Sequence, residues 1–386
     1  MNQRLVLIGG GHSHAIALKL WGLNPIPGVD LTLISDVEQT PYSGMLPGHV
    51  AGFYSYAETH IDLLSLAKFA GAELIIDRAI GLDLVHNQVI CHSHSRIEFD
   101  YLSLDIGSTP QTINIPGASE YAIPAKPVPN FLDAWYQLKQ EAVSHPEQSL
   151  SIVIVGGGAG GVELALNMQA GLQQILPDKA ESNLQIHLIH RDERLLAGHN
   201  SWVSNQLAKI IIKRGIRLHL QQSVSEVLPD RVNCPSGLSI KCDRVFWVTQ
   251  AAAPNWIRES QLTTDAQGFI LVKDTLQSVS HPQVFAAGDI ATMTNHQRPK
   301  AGVFAVRQGK PLIDNWRRIL TEESLQNYTP QNRYLALIGT GDLQAIASWG
   351  SFGWRSALLW RLKDYIDRKF MNQFVDLQHT PEMEYH

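Results

Sequence analysis

The sequence predicts an α/β fold: two parallel-sheet units within one chain, followed by a C-terminal α+β region. Three observations predict it. Residues 4–8 (Arg-Leu-Val-Leu-Ile) form an apolar run that enters Gly9-Gly10-Gly11 and then an apolar helical stretch at 15–21. Residues 151–155 (Ser-Ile-Val-Ile-Val) repeat the device, entering Gly156-Gly157-Gly158-Ala159-Gly160-Gly161 and the helical 162–166. Each copy is closed by a second strand-like run, at 30–34 and at 184–189. A strand, glycine turn, helix and strand that recur this way imply two Rossmann-like units rather than one.

Length and composition agree. At 386 residues the chain suits two or three domains, and 44% apolar with 17% charged residues is a globular composition. A net charge of −5 gives no electrostatic reason to expect nucleic acid as a partner. Cys91, Cys234 and Cys242 are too few for a disulfide scaffold. That usage makes a reducing, cytoplasmic compartment the expectation, and the N-terminal residues read as an apolar strand rather than a secretory signal. No segment reaches the roughly 18 uninterrupted apolar residues of a membrane span.

Taken in order, the elements carry a chemistry of their own. A glycine turn between strand and helix suits phosphate: one glycine permits the turn, another lets the backbone approach the anion, and the helix end offers unpaired N–H groups. In the second unit Gly156, Gly158 and Gly161 fill all three places. In the first, Gly9 and Gly11 fill two, and His14 replaces the third. His12 and His14 therefore either face the phosphate or pack beside the turn, and with no third ligand evident no metal is expected. A carboxylate at the end of the second strand commonly meets a ribose; here Ser35 holds that place, followed by Asp36, which shifts the contact by one. In the second unit the place holds His190, followed by Arg191 and Arg194, cations that suit a 2′-phosphate and favour NADPH over NADH. The proline-rich 122–130 reads as an interdomain connection. The apolar run 245–249 reads as the return to the first domain. Residues 99–110 end in Gly107-Ser-Thr-Pro, and 284–289 end in Gly288-Asp289, where an aspartate can accept a hydrogen bond from a sugar-like hydroxyl chain. Residues 331–349 read as a strand pair and 354–374 as a helix.

With these four motifs in order over residues 4–310, the chain resembles the two-dinucleotide-binding-domain flavoproteins, the pyridine nucleotide–disulfide oxidoreductase superfamily. The resemblance implies two Rossmann-like FAD/NAD(P)-binding domains of the three-layer ββα type. The FAD domain is expected over 1–115 and 245–325, the NAD(P)H domain over 116–244, and a C-terminal interface region over 326–386. It also implies that Gly9 and Gly11 cradle the FAD pyrophosphate, Ala79 meets the adenine through its backbone, and Asp289 binds the ribityl chain. The helix opening at Ala301-Gly302-Val303 would aim its N–H groups at the pyrimidine edge of the flavin, where reduction places negative charge. Ser43 and Gly44, with Gly107 and Gly288, complete the expected contacts, and Glu163 would position the nicotinamide. FAD and NADPH or NADH are the expected cofactors.

Disulfide reductases of that superfamily carry a cysteine pair after the second strand, whereas residues 40–48 hold none; sulfide–quinone reductases need a late cysteine, and none follows Cys242. Electrons would therefore pass directly from flavin to acceptor, as in type II NADH dehydrogenases, with a quinone as expected acceptor and Gln308 and Lys300 as candidates to meet it. Cys234 and Cys242 flank an expected hairpin and read as structural. Residues 41–48, 300–309 and 362–371 also look like the flavoprotein domain that precedes selenide, water dikinase in some bacterial fusions, which keeps a slow-turnover redox partner or sensor in selenium metabolism as the alternative. Leu358, Leu362, Ile366, Phe370 and Phe374 form one helical stripe beside Trp360, Tyr365 and Met371, with Arg355, Arg361, Lys363, Arg368 and Lys369 around it. Such a face suits peripheral contact with an anionic membrane, the core or a homodimer.

Overall fold

A computed structural model of the chain describes residues 2–110, 115–176, 183–249 and 251–377. The site is built by β1 (Gln3–Ile8), α1 (His12–Leu23), β2 (Val29–Ser35), β3 (Glu73–Ile76), β4 (Tyr101–Leu104), β5 (Ala122–Pro124) and α2 (Val128–Ser144). Next come β6 (Leu150–Val155), α3 (Ala159–Ile175), β7 (Leu184–Ile189), α4 (Ser201–Lys213), β8 (Arg217–His219) and β9 (Arg244–Trp247). Then follow β10 (Val284–Ala286), α5 (Gly302–Leu320), β11 (Ala336–Gly339), β12 (Ala345–Trp349), β13 (Phe352–Ser356) and α6 (Ala357–Asn372).

Two five-stranded parallel sheets carry the chain, in the orders β10-β4-β1-β2-β3 and β5-β9-β6-β7-β8. Strands buried on both faces read as unbroken apolar runs, and β6 shows why. Ile152 and Ile154 pack among the helices with Phe131, Leu166 and Leu207, whereas Val153 and Val155 pack against an antiparallel meander through Val227, Val232 and Ile240. A second meander, Ala79–Asp83, Gln88–Cys91 and Ile97–Glu98, places Leu82 and Val89 against the first sheet's core. The expected three-layer α/β arrangement is therefore present twice. In each sheet the strand order reverses beside the first strand, between β1 and β4 and between β6 and β9, and both glycine turns open at that crevice, where ligands bind in such sheets.

Three expectations need correction. Residues 245–249 were assigned to the first domain, but β9 lies between β5 and β6 in the second sheet. The return comes later, where Ala251–Ala252 pair antiparallel with Thr109–Pro110. An apolar strand run names no sheet. The proline-rich connection is half structured, because its first residues form β5 and its end opens α2. In the C-terminal region residues 331–349 hold the expected strand pair, but a third antiparallel strand takes the start of the expected 354–374 helix, which begins instead at Ala357, where the Ser356 hydroxyl caps the Leu359 N–H at 3.2 Å. Residues 378–386 of that region lie outside the described residues. Among the described residues no helix is long and apolar enough to cross a membrane.

Candidate functional site

The first glycine turn borders a cavity of about 600 Å³, within the usual range of ligand pockets of roughly 300–1,000 Å³. Gly9 has φ +90°, and a Cβ there would lie 2.5 Å from the Asp105 carbonyl oxygen. Both the turn and the close approach demand glycine. A Cβ on Gly11 or on Gly288 would fall 2.3 Å from the Asp105 carboxyl group. Those two glycines thus make room for a buried side chain of the protein itself. Asp105 follows β4, and its Oδ2 accepts the N–H groups of Ser13 at 2.8 Å and His14 at 3.1 Å, in the first turn of α1. Burial pushes this carboxyl up to about 7, against those hydrogen bonds. Sequence reasoning missed Asp105, because nothing local distinguishes it from the end of an apolar strand.

His12 lines the cavity, edge-on to Tyr42 at 5.1 Å, and burial lowers it to about 4, so it is neutral. Of the two readings of His14, facing the phosphate or packing beside the turn, the structure takes the second: the ring points inward, fully buried. Its Nδ1 and the Gly9 carbonyl oxygen are 2.6 Å apart, and its Nε2 and Ser103 Oγ 2.8 Å. The imidazole replaces the missing third glycine by stitching the end of β1 to β4, and burial holds it neutral, down to about 4.

Other expected contacts fall on the same wall. Ser35, Asp36, Ser43, Ala79, Gly107, Asp289 and Gly302 all line the cavity. The Ser35 hydroxyl donates to the Val37 carbonyl oxygen at 2.8 Å, which leaves exposed Asp36 at the mouth to meet a hydroxyl. The Asp289 carboxylate accepts Lys126 Nζ at 2.9 Å and Ser108 Oγ at 3.1 Å. Lys126 was hidden within the proline-rich connection. Gly302 opens α5 at the cavity, whereas Ala301 and Gly288 face a smaller recess behind it and Val303 lines neither.

Gly44, Gln308 and Lys300 need correction. Gly44 is outside the cavity, its carbonyl oxygen accepting Lys363 Nζ at 2.7 Å. Gln308 is buried, and its Oε1 accepts the Gly288 N–H at 2.6 Å, which fixes the Gly-Asp turn rather than offering an amide to an acceptor. Lys300 donates to Thr292 Oγ1 at 2.9 Å and lies 4.0 Å over the Phe269 ring; burial lowers it to about 8. Both side chains are engaged by the protein away from the main cavity.

The second turn is the cleaner cradle. Gly156 has φ +123°, and a Cβ on Gly161 would sit 1.8 Å from the Gly156 carbonyl oxygen, so α3 and β6 touch only because that position is bare. A Cβ on Gly158 would meet nothing within 4 Å, which leaves an open face for an incoming anion. His190 Nδ1 accepts the Gly157 N–H at 3.1 Å and so braces the turn. Arg191 is exposed, its Nε 3.7 Å from Asp192, and Arg194 donates to the Ala197 carbonyl oxygen at 3.1 Å.

Glu163, in the first turns of α3, reaches the C-terminal sheet, where its Oε1 accepts the Gly339 N–H at 2.8 Å. Burial raises it to about 7, opposed by the nearby Lys363 ammonium. Lys363 was counted among the cations of a surface helix, but its side chain is only 14% exposed and donates to Asp367 Oδ2 at 2.7 Å. Tyr42 donates to Asp367 Oδ1 at 3.2 Å and stacks on Phe370 at 4.4 Å. The expected stripe on α6 therefore divides: Phe370 and Met371 are core, whereas Leu358, Leu362, Tyr365 and Ile366 are exposed beside Phe352 and Trp354. Cys91, Cys234 and Cys242 are buried thiols, and none lines the cavity.

Two glycine cradles at the switch points of paired three-layer domains, with a helix N-terminus opening on the larger cavity, define a two-dinucleotide oxidoreductase. The family model for pyridine nucleotide-disulphide oxidoreductases matches residues 3–309, and the chain belongs to that family. Its cofactors are FAD and a nicotinamide dinucleotide; the bare Gly9–Gly11 turn, Asp36 at the mouth and Gly302 at the inner end fit the flavin dinucleotide. The chain is 22% identical over 339 residues to the NADH dehydrogenase-like protein YutJ of Bacillus subtilis, covering 88% of this chain and 90% of that one. It is 26% identical over 310 residues to the type II NADH:quinone oxidoreductase of Haemophilus influenzae, covering 68% of each. Among solved structures, NDH2 from Plasmodium falciparum in complex with NADH superposes with a TM-score of 0.81 at 14% identity over 97% of both chains. The sulfide:quinone oxidoreductase of Aquifex aeolicus gives 0.79 at 17% identity over 99% of this chain and 94% of that one.

Proposed function

We propose that the chain oxidises NADPH or NADH and passes the electrons to a quinone, without a redox disulfide, while resting on the cytoplasmic face of a membrane. The observation that carries this reading is the cavity itself: α5 and the first cradle meet on one wall, and no cysteine stands there to relay electrons. FAD in that cavity supplies hydride acceptance from the nicotinamide and electron transfer to the acceptor. The residues supply position and field. Gly302 presents a helix N-terminus, which favours negative charge. Asp289, tied to Lys126 and Ser108, presents a fixed carboxylate edge to hydroxyl groups. Glu163 joins the nicotinamide domain to the C-terminal sheet and stands where it can set the donor ring. Arg191 and Arg194 flank the ribose end of the second cradle and support NADPH. The exposed apolar face around Trp354, Leu358, Leu362 and Ile366 supports membrane contact, where a quinone would be delivered.

Anaerobic titration of the flavin-loaded protein with each dinucleotide, followed by turnover with a soluble quinone, tests the reading. Flavin bleaching by either donor and quinone turnover well above background are expected. Bleaching without quinone turnover would point to the alternative, a slow redox partner or sensor, which rests on the likeness of 41–48, 300–309 and 362–371 to the domain fused to selenide, water dikinase. Co-sedimentation with anionic liposomes tests the surface, and a concentration-dependent dimer that hides the same residues would replace it.

A further inference from the structure

We propose that Asp105 is a positioning carboxyl for the flavin dinucleotide that must hold a proton for the pyrophosphate to bind, so that FAD binding takes up a proton from water. The inference rests on the FAD reading of the main cavity. In the common cradle the first-turn N–H groups of the helix face the phosphate. Here those of Ser13 and His14 already point to Asp105 Oδ2, at 2.8 and 3.1 Å, so a side chain of the protein occupies part of the anion site. The backbone joins in, since the Gly11 N–H donates to the Asp105 carbonyl oxygen at 3.1 Å. Asp105 is 3% exposed and still belongs to the cavity wall. An ionised carboxylate there opposes a second anion brought to the same helix end; a neutral carboxyl does not.

The geometry also says where the proton sits. Oδ2 is engaged by two N–H groups, whereas Oδ1 is the oxygen that faces the bare Cα of Gly288. The proton therefore belongs on Oδ1. Every charged or titratable neighbour leaves Asp105 as the responsive group. His12 and His14 on α1 are held neutral, down to about 4. Asp289, from the turn after β10, is itself an anion that raises Asp105, and its own charge is matched by Lys126 from the segment before α2. Lys300, before α5, acts on Asp289 and is lowered to about 8, at the edge of the range of interest. Without ligand Asp105 titrates at about 7, so it changes state across neutrality. Arrival of the pyrophosphate drives it further toward the neutral form.

The test is FAD binding to the apoprotein, read by quenching of flavin fluorescence, at pH 6 and pH 8. Free FAD has no group titrating between them. A carboxyl of pKa near 7 that must be neutral predicts a Kd about tenfold weaker at pH 8, one proton per binding event. In the isosteric Asp105→Asn protein, whose amide oxygen still accepts the two N–H groups, the change should be under threefold; any share from Lys300 survives in this variant and is measured by it. Should that variant fail to fold, calorimetry of the wild-type protein at pH 7.5 in two buffers of different ionisation enthalpy reads the proton directly, and most of one proton taken up is expected. Equal Kd values at both pH values, no proton uptake, or the wild-type slope retained in Asp105→Asn would each overturn the proposal. Failure to bind FAD at any pH would overturn the cofactor reading along with it.

Discussion

Replacing Gly158 and Gly161 by alanine, one at a time, separates two roles that the second cradle assigns to bare backbone. At Gly161 the new Cβ would lie 1.8 Å from the Gly156 carbonyl oxygen, a backbone atom that cannot swing aside. A carbon and an oxygen rest at roughly 3.3–3.6 Å even in a weak hydrogen bond, so α3 must move off β6 by well over 1 Å. Overpacking of that kind costs about 1–3 kcal/mol, and more where backbone opposes it. At Gly158 the Cβ meets nothing within 4 Å, and φ of −73° is ordinary for alanine. The loss of a glycine N-cap and the gain from a stiffer unfolded chain roughly cancel, which leaves stability within about 1 kcal/mol. The methyl group nonetheless stands where backbone must approach a pyrophosphate. Gly161→Ala should therefore lower the thermal midpoint of the nicotinamide domain, with weaker dinucleotide binding as a consequence. Gly158→Ala should keep its midpoint and its flavin, yet weaken NAD(P)H binding by tenfold or more, about 1.4 kcal/mol. Differential scanning fluorimetry and anaerobic single-turnover flavin reduction read the two effects. A Gly158→Ala protein that is reduced at the wild-type donor concentration would refute the reasoning, because the open face at that glycine would then face no phosphate.

Three further outcomes follow from the charged groups. Lys363→Met leaves Asp367 buried without its ammonium partner and should destabilise the protein by about 3–5 kcal/mol, with part of the loss regained in the Lys363→Met/Asp367→Asn double variant; an unchanged urea midpoint would show the pair to be solvated. Glu163, raised to about 7 by burial, holds its proton in the folded state over a range where the unfolded chain has lost it. Ionisation thus costs stability as pH rises from about 4.5 toward 7, and Glu163→Gln should gain on the wild type between pH 5 and pH 7 by up to about 1.4 kcal/mol per unit and level off above that; a stability difference that stays flat across that window would contradict the burial argument. Joint replacement of Arg191 and Arg194 by alanine should raise the KM for NADPH at least tenfold while moving that for NADH less than twofold, and equal effects on both donors would remove the 2′-phosphate assignment.

What could be read from the sequence was what is local in it. Gly9, Gly156 and Gly161 announce themselves because strand, tight turn and helix are neighbours along the chain, although only Gly161 meets its steric limit locally, at Gly156, while Gly9 and Gly156 are bounded by Asp105 and Val248. The alternation in β6 was likewise visible as an unbroken apolar run. Hidden were the contacts made across the fold. Asp105 and Lys126 reach the flavin cavity from elements whose own residues read as a strand end and a connection. The direction of the His14 ring was decided by Ser103, far along the chain. Lys363 looked like its neighbours Arg361 and Lys369 on a basic helix, and only packing of α6 against the two domains separates a largely buried cation from exposed ones. Strand order was invisible for the same reason, which is why β9 was given to the wrong sheet.

The contacts of Lys363 belong to a larger set that joins the C-terminal region to both cradle domains. The C-terminal region is held to the nicotinamide domain by the Gly339 N–H on Glu163 and by Arg214 paired with Asp342 at 2.6 Å. It is held to the flavin domain by Lys363 on the Gly44 carbonyl oxygen, by Asp367 on Tyr42, and by Arg368 paired with Glu58 at 2.6 Å. Hydride transfer needs the donor and acceptor rings at near-contact distance, and an error of 1 Å can cost about a hundredfold in rate. Thr109–Pro110 pair with Ala251–Ala252, Leu46 and Val50 pack into the nicotinamide-domain core, and Gln174 Nε2 donates to the Ala51 carbonyl oxygen at 3.0 Å. The α6 clasp adds to those contacts a set of ties to both domains made by the segment that lies outside the matched family region, 310 onward.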